Sequence, residues 1–176
     1  MLEFDDRERG LLLNLTGDGK GKSTSAFGTA IRALGWGWRV AVIQFMKGER
    51  PTGEKNFFSR YFPEMIFEQY GLGLTTRPGD HRGMAQRGWA RTRELLESFD
   101  GELLILDELN VALHHGFLDP AEVAALLRSR RATLNLIVTG RHAPPELVGI
   151  ADLVSEIADL KHPFHRGIPA RKGVDY

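Results

Sequence analysis

The sequence predicts an α/β fold, a three-layer sandwich built on a mostly parallel sheet. Three observations lead there. Short, uninterrupted apolar runs recur along the chain, stretches of helical periodicity separate them, and a glycine-rich turn joins the first run directly to the first helix. With 176 residues, 42% of them hydrophobic and 26% charged, the chain has enough material for one hydrophobic core. It is read as a single domain over residues 1–176, with a short N-terminal arm (1–10) and an irregular C-terminal tail (161–176).

The first strand is expected at Leu11–Leu15 and the helix after it at Ser23–Leu34, where Ala26, Phe27, Ala30, Ile31 and Leu34 share one face and Gly35 stands at a stop position. Arg39–Phe45 gives a second strand, so the opening segment is a βαβ unit, which requires a parallel pair and a right-handed crossover. A short helix at Asn56–Tyr61, a strand at Met65–Tyr70 and a loop from Gly71 to Gly79 follow, then a longer helix at Met84–Phe99. Glu102–Glu108 is read as a strand, and Asp119-Pro120 as the cap of a helix over Ala121–Arg128. Thr133–Thr139 is the next strand, Pro144–Ile150 a short helix and Leu153–Ile157 the last strand. His114 and His115 before Gly116 look like a helix end, and Trp36, Trp38 and Trp89 are assigned to core packing. The tail, with two Pro, two Gly and no periodicity, is expected to form no regular element.

Composition excludes several functions. The 23 basic and 23 acidic residues cancel, so the basic surplus of a duplex-binding protein is missing and no nucleic-acid partner is expected. No apolar run approaches the roughly 20 residues that span a bilayer, so no membrane partner is expected either. There is no cysteine, hence no disulfide, thiol nucleophile or thiolate metal site. With a charged start and no secretory apolar region, this fits a cytoplasmic protein.

The chemistry concentrates in Thr16-Gly17-Asp18-Gly19-Lys20-Gly21-Lys22-Ser23-Thr24. A loop of this kind between a buried strand and a helix start aims backbone N–H groups and the helix dipole at one point. There glycines admit phosphate oxygens, Lys22 adds charge and the Ser23 hydroxyl can hold magnesium. The usual first glycine, five residues before Gly21, is replaced by Thr16, an irregular match. The apolar run Leu103–Leu106 ends in Asp107 and Glu108, carboxylates that can bind or orient Mg2+ together with Ser23 at the same phosphates. Such a loop establishes triphosphate binding but not its use. A small-molecule kinase and a nucleotide-gated switch remain open beside other displacements, and the deciding residues lie in the loops around Lys47, Gly71–Asp80, Arg141 and the tail. His162 and His165 lack a third metal ligand nearby.

The ordered set Thr16–Thr24, Val42-Ile-Gln-Phe-Met-Lys-Gly48, Leu106-Asp-Glu-Leu-Asn110, Thr139-Gly-Arg-His-Ala-Pro-Pro-Glu-Leu147, Ala151-Asp-Leu-Val154, Lys161-His-Pro-Phe-His-Arg-Gly167 and Gly173-Val-Asp-Tyr176 resembles the P-loop ATP:corrinoid adenosyltransferases, from about Leu11 to the end. The irregularity at Thr16 is shared by that family. The resemblance implies a RecA-like P-loop fold, ATP with Mg2+, and attack by cobalt(I) of a reduced corrinoid on the 5′ carbon of ATP with release of triphosphate. It implies Lys22 and Glu108 as the catalytic pair, with Ser23, Asp107 and Glu108 at the metal. The nucleotide, bound in reverse sense along the loop, would meet Lys47 and Arg141, while Leu74, Thr76 and Phe164 would face the corrinoid. A flavin-type reductase and a homodimer are further expectations from the family.

Two positions depart from the family pattern. Asp18 stands where other members carry Asn and sets a negative charge beside phosphates. Gly73-Leu74-Thr75-Thr76 stands where they carry Gly-Phe-Thr-Trp, whose aromatics displace the lower axial base of the corrinoid. This implies reliance on Leu74 with Tyr70 or Phe67, and a preference for corrinoids without a nucleotide loop, such as the a,c-diamide precursor. The short stretch before Leu11 leaves little chain for an N-terminal lid.

Overall fold

In the computed structural model, residues 9–48, 51–73, 75–76 and 78–176 are described. The expected N-terminal arm therefore lies mostly outside the described residues, as does Leu74. The elements are β1 (Leu12–Thr16), α1 (Lys22–Gly35), β2 (Val40–Gln44), α2 (Gly53–Tyr61), β3 (Ile66–Gln69), α3 (His81–Ser98), β4 (Leu103–Asp107), α4 (Leu109–His114), α5 (Pro120–Arg128), β5 (Asn135–Thr139), α6 (Pro145–Ile150) and β6 (Leu153–Glu156).

One six-stranded sheet runs in the order β3-β2-β4-β5-β1-β6, and each of its five pairings is parallel. The mostly parallel sheet of the sequence reading is thus parallel throughout these strands. Handedness distributes the helices: connections moving toward β3 place α1 and α2 on one face, and those moving toward β6 place α3 to α6 on the other. Strand residues divide by parity to match. Ala41, Ile43, Leu104, Leu106, Leu136 and Val138 enter the core under α3 to α6, and Val40, Val42, Leu103, Ile105 and Ile137 enter the core under α1 and α2. Both faces of the four inner strands are largely buried, which is why these read as continuous apolar runs rather than alternating ones.

Caps set several helix starts. Thr52 accepts from the Lys55 N–H at the head of α2, Asp80 from Gly83 at α3 and Asp119 from Glu122 at α5. The Asp80 cap starts α3 three residues before the expected Met84. Two expectations fail. Trp89 is buried as foreseen, but Trp36 and Trp38 are 78% and 41% exposed, because they occupy the turn leaving α1 rather than a helix or strand face. The tail does hold a regular turn, a 3-10 segment at Pro163–Arg166 capped by the His162 ring, which accepts from the Phe164 N–H.

Candidate active site

The phosphate loop connects the carboxyl end of β1 to the first turn of α1. Its glycines divide the labour. A Cβ at Gly17 or Gly19 would come within 2.5 Å of the carbonyl oxygens of Ile157 and Ala158 respectively, so these positions let the loop lie against the chain leaving β6. The Gly19 N–H donates to the Ile157 carbonyl at 2.7 Å. Gly21, at φ 125, has open space around it and turns the backbone into α1 as its N-cap. Thr16 is the last residue of β1, and its hydroxyl accepts from the Ala143 N–H.

A cleft opens above the loop, lined by Asp18, Gly19, Lys20, Gly21, Lys22, Ser23, Thr24, Lys47, Glu54, Glu108, Arg141, His162 and Asp175. Of the expected nucleotide residues, only Thr16 and Gly17 are not in its wall, and both work from beneath it. Lys47 follows β2 and Arg141 follows β5, so four cations from three strand ends meet at one place. That is a site for a polyanion, set outside the carboxyl ends of parallel strands where such folds bind ligands.

The two acidic residues where β4 meets α4 have different environments. Asp107 is fully buried, and its carboxylate accepts from the Gln44 amide at 2.8 Å and from the Thr139 hydroxyl at 2.7 Å. Glu108 lines the cleft with left-handed backbone, φ 61, as the N-cap of α4. Its own N–H donates to the Thr139 hydroxyl at 2.9 Å. Burial, and then the charge of Asp107, push the Glu108 carboxyl above the ordinary glutamate value, against the pull of Lys47, Lys22 and Arg141. Burial lowers Lys22 in turn, with Glu108 opposing; its ammonium donates to the Gly19 carbonyl at 2.6 Å.

Among the described residues no hydrogen bond or ion pair ends on the Glu108 carboxylate. A half-buried carboxylate without a donor, in the same cleft as the Ser23 hydroxyl, fits a hard cation. No group of three or more His, Asp or Glu assembles a full ligand cage among the described residues.

Three lining residues were not foreseen as ligand contacts. Glu54 comes from the first turn of α2, and Asp175 pairs with Lys20 at 2.7 Å, so the tail reaches the phosphate loop. His162 also lines the cleft. The motif Gly173-Val-Asp-Tyr176 was visible in the sequence, but nothing in a sequence without periodicity shows which loop it touches. Asn14 was also missed as a polar residue. Inside the apolar run of β1, its side-chain oxygen accepts from the Asn110 amide at 2.8 Å, and that amide also reaches the Gly140 carbonyl, tying α4 to β1 and to the loop of Arg141.

Of the residues expected at the acceptor side, Thr76 and Phe164 do not line this cleft. Thr76 is exposed, Phe164 is 74% exposed, and Leu74 lies outside the described residues. Thr75 does reach the C-cap of α4, its hydroxyl 3.3 Å from Nε2 of His115.

Fold and cleft together define a P-loop nucleotide-binding α/β protein. The family model described as ATP:corrinoid adenosyltransferase BtuR/CobO/CobP matches residues 8–176. The chain belongs to that family. It is 44% identical over 172 residues to a corrinoid adenosyltransferase of Pseudomonas aeruginosa, covering 96% of this chain and 85% of that one. It is 36% identical over 170 residues to the corrinoid adenosyltransferase of Escherichia coli K12, and 36% over 172 residues to corrinoid adenosyltransferase CobA of Salmonella typhimurium. Each of these two comparisons covers 96% of this chain and 87% of the relative.

Proposed function

We propose that this chain transfers the 5′-deoxyadenosyl group of ATP to cobalt(I) of a reduced corrinoid and releases triphosphate. The observation that carries the reading, beside family membership, is the convergence of Lys20, Lys22, Lys47 and Arg141 on one cleft at the phosphate loop. The cobalt lone pair forms the bond to C5′, and the C5′–O bond breaks with its electron pair leaving on triphosphate. Cobalt goes formally from (I) to (III), and no proton moves. The protein's tasks are therefore to hold the ribose carbon in line and to neutralise a strongly charged leaving group.

In this reading Lys22, the loop amides and Arg141 bind the triphosphate, and Lys47 meets it from the end of β2. Ser23 and Glu108 face magnesium, which would add positive charge at the leaving group, and Asp107 orients from behind. The Asp18 carboxylate draws on Arg141, whose guanidinium lies 3.8 Å from it and donates to the Asp18 carbonyl at 3.1 Å. Leu74, Thr76 and Phe164 are proposed to face the corrinoid. The departure at Leu74 and Thr76 supports a preference for substrates without a lower axial base, such as the a,c-diamide.

A flavin-type reductase would supply the cobalt(I) state. The exposed apolar side chains of Trp36 and Trp38, which share one groove with Leu11, support a homodimer. No described helix is long and apolar enough to cross a membrane. The absence of cysteine favours the reducing cytoplasm.

Phosphorus NMR of a spent anaerobic reaction tests the chemistry. Intact triphosphate as the phosphorus product agrees with adenosyl transfer; ADP formed in step with a modified acceptor would make the chain a kinase.

A further inference from the structure

Four neighbouring strands end on a polar residue: β3 on Gln69, β2 on Gln44, β4 on Asp107 and β5 on Thr139. Two residues earlier on these strands stand Phe67, Val42, Ile105 and Ile137, all packed in the core under α1 and α2. Side chains alternate with period two, so the four polar residues line up on that same face. Register aligns them further, since Gln44 is the partner of both Gln69 and Asp107. Three are buried: Gln44 is 1% exposed, Asp107 and Thr139 0%.

They are joined end to end. The Lys55 ammonium, from the first turn of α2, donates to Gln69 Oε1 at 2.6 Å. Gln69 Nε2 donates to Gln44 Oε1 at 2.8 Å, and Gln44 Nε2 to Asp107 Oδ2 at 2.8 Å. From the other side Thr139 donates to Asp107 Oδ1 and accepts from the Glu108 N–H. The sense of this chain is dictated by its ends. An ammonium only donates and a carboxylate only accepts, so each glutamine must turn its oxygen toward Lys55 and its NH2 toward Asp107. Turning both over would set N–H groups against the ammonium at one terminus and lone pairs against the carboxylate at the other. Aligned amide dipoles between opposite charges reinforce one another.

We infer that Lys55, Gln69 and Gln44 are positioning residues for the metal-side carboxylate. The chain they form fixes Asp107 as an acceptor and, through the Thr139 hydroxyl, sets the left-handed backbone that presents Glu108 to the cleft. This rests on the reading of Glu108 as the carboxylate facing magnesium. Thr52 buries its side chain at the cap of α2 and accepts from the Lys55 N–H, so the donor end is anchored by backbone as well.

The test is the magnesium concentration needed for half-maximal binding of a fluorescent ATP analogue, measured on the full chain without corrinoid. Binding with magnesium chelated serves as the reference. Lys55→Met raises that concentration roughly tenfold, the lower end of what outer partners of ligating groups give, and leaves metal-free binding unchanged. Lys55→Arg restores most of it, because a guanidinium also only donates. Gln69→Leu, in a half-exposed position, reproduces the shift by breaking a different link. In a Glu108→Gln background Lys55→Met adds no further shift, since no carboxylate remains in the cleft to be presented, whereas a merely structural lysine would weaken both backgrounds alike. If Glu108→Gln shifts the magnesium dependence and Lys55→Met does not, the inference falls and the metal reading stands. If Glu108→Gln causes no shift, the metal reading falls and the inference with it.

Discussion

Two loops at the carboxyl edge of the sheet are built in opposite ways. The phosphate loop is held from beneath: Thr16 bonds the backbone of Ala143, Gly17 and Gly19 lie against the chain after β6, and the Lys22 side chain is buried. Among the described residues the Gly71–Asp80 loop is held by N–H bonds from Gly71 and Gly73 to the carbonyls of Lys47 and Met46, and by the Thr75 hydroxyl at the His115 ring. Beyond those bonds Thr76 is exposed, and Phe164 of the tail projects into solvent. On the proposed function the difference would follow from the ligands. A triphosphate needs converging amides and fixed charges, which a strand-turn-helix supplies by itself, whereas a corrinoid is a broad, largely apolar disc.

If the contrast is sound, changes in the phosphate loop act on every reaction the protein performs. Lys22→Ala should cut adenosyl transfer by about 10³-fold or more while the circular dichroism spectrum stays native. Loss of folded protein instead would make the loop a structural element and erase the distinction.

Glu108→Gln should lower turnover by about 10²-fold, and it separates function from stability. Burial and Asp107 raise this carboxyl in the folded chain, so its contribution favours folding below the unfolded value and is lost as pH rises through the raised one. At neutral pH the ligand-free protein carries a penalty there. The glutamine variant should melt about 2–4 °C higher, the shift that about 1 kcal/mol gives in a chain of this size. The wild-type minus variant difference in Tm should shrink as pH is lowered. A variant that melts lower at neutral pH would contradict the assignment of Glu108 as a strained, donor-free carboxylate.

Asp18→Asn should have a smaller effect, lowering the KM for MgATP by about two- to fivefold. It removes a negative charge and frees Arg141 from an exposed ion pair worth less than about 1 kcal/mol. The smallest change is expected on the acceptor side. Leu74→Phe should improve the use of complete cobalamin by about twofold to fivefold, the order of one added apolar contact in a binding pocket, and leave the a,c-diamide nearly unaffected. Unchanged kinetics with both substrates would remove the axial-base argument.

The same contrast explains what the sequence could disclose. The phosphate loop is contiguous, so spacing alone reveals Gly21-Lys22-Ser23 and the helix they open. Asp107 and Glu108 show as carboxylates closing an apolar run, but which one faces the cleft depends on the turn into α4, and that helix was visible only as a histidine-marked end. Handedness and buried runs gave the parallel sheet. Trp36 and Trp38 were misjudged because bulk suggests burial, while position in a turn decides it. The chain from Lys55 to Asp107 escaped notice for another reason. Its members are scattered between Gln44 and Asp107 and become a line only when the strands are registered side by side.

The most direct measurement is the absorption spectrum of chemically reduced cobalt(I) corrinoid mixed anaerobically with the purified protein and MgATP. The proposed activity predicts conversion to a photolabile alkylcobalt(III) species at a rate proportional to protein, with one triphosphate released per corrinoid converted. A cobalt(I) spectrum that persists while ATP is demonstrably bound would contradict it.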